Sequence, residues 1–308
     1  MILLDRVTVI YPNKTVALSG ASLHIQPKEF VTIVGPSGAG KSTLIRLLIR
    51  EEVPTSGKII VGSIDYDTID KVNVPHLRRR IGVVFQDFKL LPNLTVYENV
   101  AFALEVSGVR TSEIKRAVPK ILQLVGLSEK AHNYPGEISG GEKQRTAIGR
   151  AIVREPKLFL FDEPIAHLDA KLRARMRGEL KIMQRRLGTT MIYVTHDQLE
   201  AMSMADRIAV MNNGVLQQFG TPQEIYNHPV NEWVAGFVGE PPMNFIDCDL
   251  VEEGGTFHAV HAAFKVAVPA DQAAKLRASL KSGSVRMGIR PDQLSISLGQ
   301  DGSAKGSI

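Results

Sequence analysis

The chain has 308 residues, of which 44% are hydrophobic and 22% are charged, and its formal net charge is +5. This length exceeds what a single hydrophobic core usually supports, so we expect one large domain and one smaller domain. Cys248 is the only cysteine, which excludes an intrachain disulfide and fits a reducing compartment. No apolar run reaches the roughly eighteen residues of a membrane-crossing helix, and we expect no signal peptide. Lysines and arginines are spread along the chain, which indicates solvated surface rather than a nucleic-acid site.

A glycine-rich loop stands between a predicted strand, Phe30–Val34, and a predicted helix over residues 43–50. It follows the pattern G-x-x-x-x-G-K-S, in which backbone N–H groups close around phosphates at a helix N-terminus. Lys41 would reach the β- and γ-phosphates and Ser42 would offer its hydroxyl to Mg²⁺. The alternative, a glycine turn between two core elements, leaves the Lys-Ser pair unexplained. The residues predicted to bind ATP here are Gly35, Pro36, Ser37, Gly38, Ala39, Gly40, Lys41, Ser42 and Thr43.

Polar side chains follow three further apolar strand patterns: Gln86, the pair Asp162 and Glu163, and His196. Because parallel strands of an α/β sheet present ligand-binding groups at their carboxyl ends, we predict that these residues converge on the phosphate loop (residues 35–42). Asp162 is the predicted Mg²⁺ anchor and Glu163 the predicted base for the attacking water. Taken singly, Gln86 is better explained as an ordinary loop glutamine and His196 as a structural histidine. A solvated acidic turn is the alternative for the two acids.

A second loop with two glycines, Ser139-Gly140-Gly141-Glu142, opens into another predicted helix. Small residues at a helix N-terminus can form an anion site, although on the sequence alone such a loop is more often a helix cap. Tyr11 stands before an early turn. Its ring can stack on a base or pack on the sheet, and the pattern does not decide between the two.

The rest of the chain divides by composition. Helical spacing over residues 95–125 fits a helical subdomain inserted into the sheet domain, and residues 170–187 form a predicted amphipathic helix with methionines on its core face. Prolines and glycines over residues 219–245 indicate a connector. The short alternating segments of residues 246–308 predict a small β-barrel.

Residues 1 to about 240 resemble the ATP-binding subunit of ABC transporters. The resemblance is carried by the Walker A loop at 35–42, the loop with Gln86, the signature loop ISGGE (residues 138–142), the Walker B acids, the D-loop ending in Asp169 and the switch residue His196. It implies an α/β P-loop NTPase fold. The RecA-like ABC ATPase domain would span 1–240, with a helical subdomain at about 88–150, and an OB/TOBE-like β domain would span 241–308.

The resemblance also implies a head-to-tail dimer, either a homodimer or a dimer with a paralogous ATPase. ATP would lie between the Walker A loop of one subunit and the signature loop of the other, so that Ser139, Gly140, Gly141 and Glu142 serve the nucleotide of the partner chain. Tyr11 would stack on adenine, and Gln86 would contact both Mg²⁺ and the membrane subunit. Glu163 would polarise the water and His196 would contact the γ-phosphate. Mg²⁺ would be held by Ser42, Gln86 and Asp162.

The two halves of the chain resemble different members of this family. The first half looks like the bacterial cell-division ABC ATPase, on VGPSGAGKSTLIRLLIREE, PTSGKI and RRRIGVVFQDFKLLPNLTVYENVAFALEV. The second half looks like the ATPases of maltose and multiple-sugar importers, on FGTPQEIYNHPVNEWVAGFVGEPPMNF and GIRPDQL. Because the C-terminal β domain accompanies the importer type, the resemblance implies an ATP-hydrolysing subunit that powers import of a solute, with a sugar expected, through a separate membrane permease.

An extracytoplasmic solute-binding protein would take part indirectly and nucleic acid would not. The chain would lie on the cytoplasmic face of the membrane, held by the permease. One alternative is a cell-division ATPase that drives a membrane partner without transport. Another is a soluble ABC ATPase that acts on nucleic acid or ribosomes.

Three positions depart from the importer pattern. Glu142 stands where glutamine is usual, which should not abolish hydrolysis. Ala166 and His167 replace the usual serine-containing pair of the D-loop, which removes a hydroxyl expected to reach across the dimer. The sequence also ends soon after Gly288-Ile-Arg-Pro291, where importer ATPases continue. We therefore expect either an abbreviated β domain or a part of a longer chain.

Overall fold

The computed structural model describes residues 1–165, 169–270, 273, 276, 283–298 and 304–307, with side-chain burial omitted for 295–298 and 304–307. Ala166 and His167 of the D-loop lie outside this range. The chain forms two compact units, Met1–Asn227 and His228–Ile308. The division falls inside the connector of residues 219–245, ahead of the domain boundary that we predict at residue 240.

The strands of the described residues are, in chain order, β1 (Ile2–Ile10), β2 (Val16–Ile25), β3 (Phe30–Val34), β4 (Ser56–Val61), β5 (Ile64–Asp65), β6 (Ile81–Val84), β7 (Leu158–Asp162), β8 (Thr190–Thr195), β9 (Arg207–Asn212), β10 (Val215–Gly220), β11 (Asn244–Glu253), β12 (Thr256–His261), β13 (Phe264–Ala267), β14 (Ser284–Ile289), β15 (Ser295–Leu298) and β16 (Ala304–Ser307). The helices are α1 (Lys41–Leu48), α2 (Val74–Arg79), α3 (Val96–Glu105), α4 (Thr111–Leu124), α5 (Gly140–Ile152), α6 (Ala170–Leu187), α7 (Gln198–Met204), α8 (Pro222–Asn227) and α9 (Glu232–Phe237).

The first unit is built on a six-stranded sheet of order β10-β9-β3-β8-β7-β6. Its strands from β9 to β6 are parallel, and β10 joins β9 as an antiparallel edge. A second, antiparallel sheet has the order β2-β1-β4-β5. Every residue of β3 and of β8 is buried, because a parallel sheet is covered on both faces.

Alternate residues of each central strand belong to different cores. Phe161 and Tyr193 lie in a buried cluster with residues of α3 to α6, whereas Leu160 and Ile192 lie in a cluster with residues of α1, β1 and β2. Successive strand side chains point to opposite faces, so each face of the sheet has its own core. The predicted amphipathic helix is α6, and Met176 on its buried face is 1% exposed.

The second unit contains an antiparallel sheet of order β13-β12-β11-β14 and the pair β15-β16. The short helix α9 belongs to it: Glu232 of α9 pairs with Arg286 of β14 at 2.9 Å, and the Arg290 guanidinium donates to the Val238 carbonyl at 2.6 Å. These bonds tie α9 to the C-terminal strands, which explains why the unit begins before residue 240. Among the described residues, no helix is long and apolar enough to cross a membrane.

Candidate functional site

Four strand ends of the central sheet, those of β3, β8, β7 and β6, lie side by side. Val34 is paired with Thr195, Val194 with Asp162, and Phe161 with Val84. The phosphate loop, His196, Glu163 and the loop with Gln86 follow directly after these ends. The prediction that these polar residues come from one edge of the sheet agrees with this register.

The phosphate loop runs from β3 into α1. Gly40, the N-cap of α1, has φ +96°, and a Cβ at this position would collide with the carbonyl oxygen of Ala17. Only glycine combines that backbone conformation with such a close approach. The loop thereby turns the first N–H groups of α1 outward, where an anion can be bound.

Lys41 is folded back over this loop. Its ammonium donates to the carbonyls of Gly35 and Pro36 at 2.8 and 2.9 Å and lies 3.9 Å from Oε1 of Glu163. The side chain is buried, and burial lowers the pKa of Lys41 against the opposing pull of Glu163 and Asp162. A cation is therefore held at the phosphate loop with two carboxylates close by.

The two acids at the end of β7 differ in their surroundings. Asp162 Oδ1 lies 3.4 Å from the Ser42 hydroxyl, and burial, followed by the neighbouring Glu163 charge, raises the pKa of Asp162. Glu163 has a left-handed backbone, φ +46°, and its N–H donates to the Val194 carbonyl at 3.0 Å. This turn aims Glu163 toward the end of β8.

His196 lies at that strand end. Its Nδ1 is 3.1 Å from Oε2 of Glu163, and the imidazole is more than half exposed. Glu163 thus stands between a buried ammonium and an accessible imidazole. The structure brings together Lys41, Ser42, Asp162, Glu163 and His196 of the predicted site.

A buried carboxylate supports the His196 turn, and the sequence reasoning missed it. Glu200 Oε2 accepts from the hydroxyls of Tyr193 and Thr195 at 2.9 and 2.6 Å. Thr195 also accepts from the N–H of Asp197, whose carboxylate lies 3.4 Å from Arg173 of α6. Burial raises the pKa of Glu200. The only sequence signal was an acid four residues after a strand-end histidine.

Tyr11 and Gln86, which the sequence also predicts for the site, lie outside the group formed by Lys41, Asp162, Glu163 and His196. The Tyr11 hydroxyl lies 3.1 Å from the hydroxyl of Thr43 in α1, which puts the tyrosine beside the phosphate loop. Gln86 is exposed, two residues after β6 ends. Stacking of Tyr11 on a base and metal contact by Gln86 stay predictions.

The signature loop is capped at the start of α5. The Ser139 hydroxyl accepts from the Glu142 N–H at 3.3 Å, while the Glu142 carboxylate accepts from the Ser139 N–H at 2.7 Å and from its hydroxyl at 2.9 Å. The Ser139 backbone N–H is the main reason why the pKa of Glu142 is lowered. The reciprocal bonds form a capping box, so this loop is a helix cap, as the alternative interpretation of the sequence states. The cap neither supports nor contradicts binding of a nucleotide by the same loop.

Gly141 lies against α6, where a Cβ would come within 3.0 Å of the Leu172 side chain. Asp169 caps that helix, since its Oδ1 accepts from the Leu172 N–H at 2.9 Å. The start of α6 and the signature loop are therefore neighbours. Asp169 caps α6, a structural role that was not predicted from its position in the D-loop.

Comparisons with known proteins show which families the chain resembles. The sequence pattern of the ABC transporter family matches residues 18–166, and that of the MalK OB fold domain matches residues 239–294. The trehalose/maltose import ATP-binding protein MalK of Thermococcus litoralis is 47% identical over 284 residues, which are 92% of this chain and 76% of that protein. The diacetylchitobiose uptake system ATP-binding protein MsiK of Streptomyces coelicolor is 41% identical over 98% of this chain and 77% of its own length.

Further relatives extend this result. The sn-glycerol-3-phosphate import ATP-binding protein UgpC of Psychromonas ingrahamii is 42% identical over 95% of this chain and 74% of its own length. The solved dimer of the ATP-binding cassette MJ0796, bound to ADP and Pi, is 33% identical with a TM-score of 0.65 over 72% of this chain and 99% of its own. The chain therefore belongs to the ABC transporter ATP-binding proteins that carry a C-terminal MalK-type OB domain, and it is an ATPase.

Proposed function

We propose that this ATPase powers the import of a solute, with a sugar as the cargo class, through a separate membrane permease. The observation that carries the proposal is the order of the two matched families, an ABC transporter domain followed by a MalK-type OB domain at residues 239–294. Relatives named for trehalose/maltose import and diacetylchitobiose uptake support a sugar. A relative named for sn-glycerol-3-phosphate import makes a polyol phosphate the competing cargo.

In the proposed mechanism the γ-phosphate of ATP enters the space beside Lys41, Glu163 and His196. The oxygen of a water molecule attacks the γ-phosphorus, the bond to the bridging oxygen of ADP breaks, and the Glu163 carboxylate accepts the proton of the water. The 3.1 Å contact between His196 and Glu163 supports a role of the imidazole in holding this carboxylate. Lys41 offsets the phosphate charge, and its existing bonds to loop carbonyls keep the ammonium at the site.

The donor set fits Mg²⁺. The Ser42 hydroxyl and the Asp162 carboxylate lie 3.4 Å apart, and hydroxyl and carboxylate oxygens are the hard ligands that this ion prefers. Within the described residues no group of three or more His, Cys, Asp or Glu could hold a metal. Mg²⁺ needs only one or two protein ligands when phosphates and water complete its shell. When bound, it would neutralise phosphate charge, with Gln86 as a further predicted ligand.

We propose that two chains complete each site. Among the described residues, no hydrogen bond or ion pair joins the signature loop to the phosphate loop of the same chain. The N-terminus of α5, with Gly140 and Gly141, is then available to the nucleotide of a second chain. The dimeric state of the solved cassette MJ0796 supports this arrangement.

The permease is proposed to dock at a cleft beside Gln86. This cleft has a volume of about 540 Å³ and is lined by Phe85, Phe102 and Val106 together with Arg150 and Arg154. Phe102 and Val106 are 40% and 64% exposed. Arg78 and the acid Glu51 also line the cleft, so its cationic side chains outnumber its acidic ones. Exposed apolar side chains beside an excess of cations fit an amphipathic helix with an acidic residue from the permease. Such a partner would hold the chain at the cytoplasmic face of the membrane.

The test is purification of the tagged chain from detergent-solubilised membranes of its own host, followed by mass spectrometry and by uptake assays. We expect multi-span permease subunits, and labelled maltose or trehalose uptake that is lost with the gene and restored by the wild-type gene but not by Glu163→Gln. A four-span division protein as the partner would contradict import and favour the cell-division alternative. Uptake of glycerol-3-phosphate but not of sugars would overturn the cargo class alone.

A further inference from the structure

The loop that carries Gln86, residues 85–95, has an unusual backbone. We name it the Gln86 loop. Phe88 and Lys89 have φ of +58° and +46°, which is the left-handed region that side chains other than glycine avoid. Two such residues in succession persist only where their surroundings hold them. The contacts of this pair therefore decide where the neighbouring Gln86 lies.

Arg150 of α5 holds both residues. Its Nη2 donates to the Phe88 carbonyl at 2.7 Å and its Nη1 donates to the Lys89 carbonyl at 2.5 Å. Burial lowers the pKa of Arg150, and no ion pair of the described residues involves it. A planar guanidinium suits two adjacent carbonyls, whereas an ammonium could not bridge them with the same fork.

The remainder of the loop is fixed to the same group of helices. Asn99 of α3 is fully buried. Its Oδ1 accepts from the Leu91 N–H at 2.8 Å, and its Nδ2 donates to the carbonyls of Leu91 and Leu94 at 3.1 and 2.8 Å. Phe88 lies in one buried cluster with Ile148 of α5. From Phe88 onward the loop is therefore attached to α3 and α5, and only Phe85, Gln86 and Asp87 remain between this attachment and β6.

We infer that Arg150 is a positioning residue that couples Gln86 to the helix of the signature loop. The N-terminus of α5 carries the signature loop and its C-terminal part carries Arg150, so one rigid helix reaches both. A shift of α5 moves the carbonyls that Arg150 holds and, with them, the residue two positions away that is proposed to contact Mg²⁺. The inference rests on the role proposed for Gln86.

The test is a double-mutant cycle on ATP hydrolysis by the full chain, with Gln86→Ala, Arg150→Ala and the combined variant. We expect Arg150→Ala to lower kcat about tenfold with KM for ATP changed less than about twofold, because a displaced Gln86 affects turnover rather than the phosphate loop. In the Gln86→Ala background, Arg150→Ala should lower kcat by less than about twofold, because the residue through which it acts is already absent.

Arg150→Lys and Arg116→Ala are the matched variants. The lysine keeps the charge but replaces the planar fork of two nitrogens by a single nitrogen, so we expect partial recovery of kcat. Arg116 is exposed on α4 and has no hydrogen bond to the Gln86 loop among the described contacts, so its loss should leave kcat unchanged. If Arg150→Ala does not fold, the cycle is run with Arg150→Lys. If the fold-losses of kcat of the two single variants multiply in the double variant, the two residues act independently. That result would overturn this inference but leave the role proposed for Gln86 intact. An unchanged rate in Gln86→Ala would overturn both the role of Gln86 and the inference.

Discussion

Nδ1 of His196 lies 3.1 Å from Oε2 of Glu163, although 33 residues separate the two in the chain. The contact exists because β7 and β8 are neighbouring parallel strands and because the left-handed turn at Glu163 donates its N–H to Val194. A non-glycine residue in this conformation is unfavourable and is characteristic of functional sites. The geometry holds one carboxylate between His196 and Lys41.

Replacing Glu163 by Gln should nearly stop ATP turnover while leaving ATP binding intact. The amide keeps the shape of the side chain but cannot accept the proton of the water, and loss of a general base costs about 10² to 10⁴ in rate. Phosphate release and fluorescent-nucleotide binding measure the two effects separately. Glu113→Gln, at an exposed position of α4, is the control. Undiminished turnover in Glu163→Gln would remove Glu163 from the mechanism.

Replacing Asp162 by Asn should raise the Mg²⁺ concentration for half-maximal turnover about 10- to 100-fold, a range typical for altered metal-site partners. The physical reason is the loss of the negative charge of the carboxylate that lies 3.4 Å from the Ser42 hydroxyl. A Mg²⁺ titration at saturating ATP measures the shift, with Asp70→Asn at an exposed position as the control. Equal half-maximal concentrations in wild type and variant would contradict the ligand role.

Replacing Glu142 by Gln should weaken the α5 cap in a pH-dependent way. The pKa of Glu142 is lowered in the folded chain from its ordinary value of 4.5, so its carboxylate stabilises the fold above that value and this contribution is lost as the pH falls through the lowered pKa. We expect the variant to be less stable by about 0.5–1 kcal/mol at pH 7, a typical size for capping bonds at a solvent-accessible site.

Urea unfolding of both proteins at several pH values between 7 and about 3 measures this difference in the free energy of unfolding. The gap between wild type and Glu142→Gln should narrow toward the acidic end. A stability difference that is constant with pH would mean that the charge of Glu142 does not contribute to the free energy of unfolding. A stability difference that widens on acidification would mean that the pKa of Glu142 is raised, not lowered, in the folded chain.

Replacing Glu200 by Ala should destabilise the fold and reduce turnover, while Glu200→Gln should do much less. Alanine leaves the hydroxyls of Tyr193 and Thr195 buried without their acceptor, at a cost of about 2–4 kcal/mol for the pair. Glutamine keeps one acceptor oxygen and removes a carboxylate whose charge is penalised by burial. Thermal unfolding and ATPase rate measure the effects, and equal losses in the two variants would show that the hydroxyl bonds are unimportant.

Much of the site was predictable because its chemistry is local in sequence. The phosphate loop is specified by glycines and a Lys-Ser pair within eight residues, and Asp162, Glu163 and His196 each follow a continuous apolar run. Parallel strands have a regular register, so residues at their ends meet without knowledge of the detailed packing. The family and the ATPase activity, both confirmed by the comparisons, follow from these motifs and their order.

The supporting residues were not predictable in the same way. Arg150 and Lys89 lie 61 residues apart, and an arginine inside a helix gives no sign of which carbonyls it will meet. The burial of Glu200 depends on how α7 packs beside β8, since the same sequence on an exposed helix would be an ordinary acid. The helix cap at Ser139 was predictable as an alternative from the sequence, but the reciprocal Ser139–Glu142 bonds of the capping box are seen only in the structure.

The sequence by itself determined the family and the ATPase activity, and it predicted which backbone segments bind phosphate and which side chains carry the reaction, because those properties depend on residue type and short spacing. Only the tertiary structure decided how these groups are held: the pairing of β7 with β8 that joins His196 to Glu163, the burial that lowers the pKa of Lys41, and the reach of Arg150 from α5 to the Gln86 loop. These are contacts between segments far apart in the chain, and their geometry is set by close packing of side chains rather than by any local pattern.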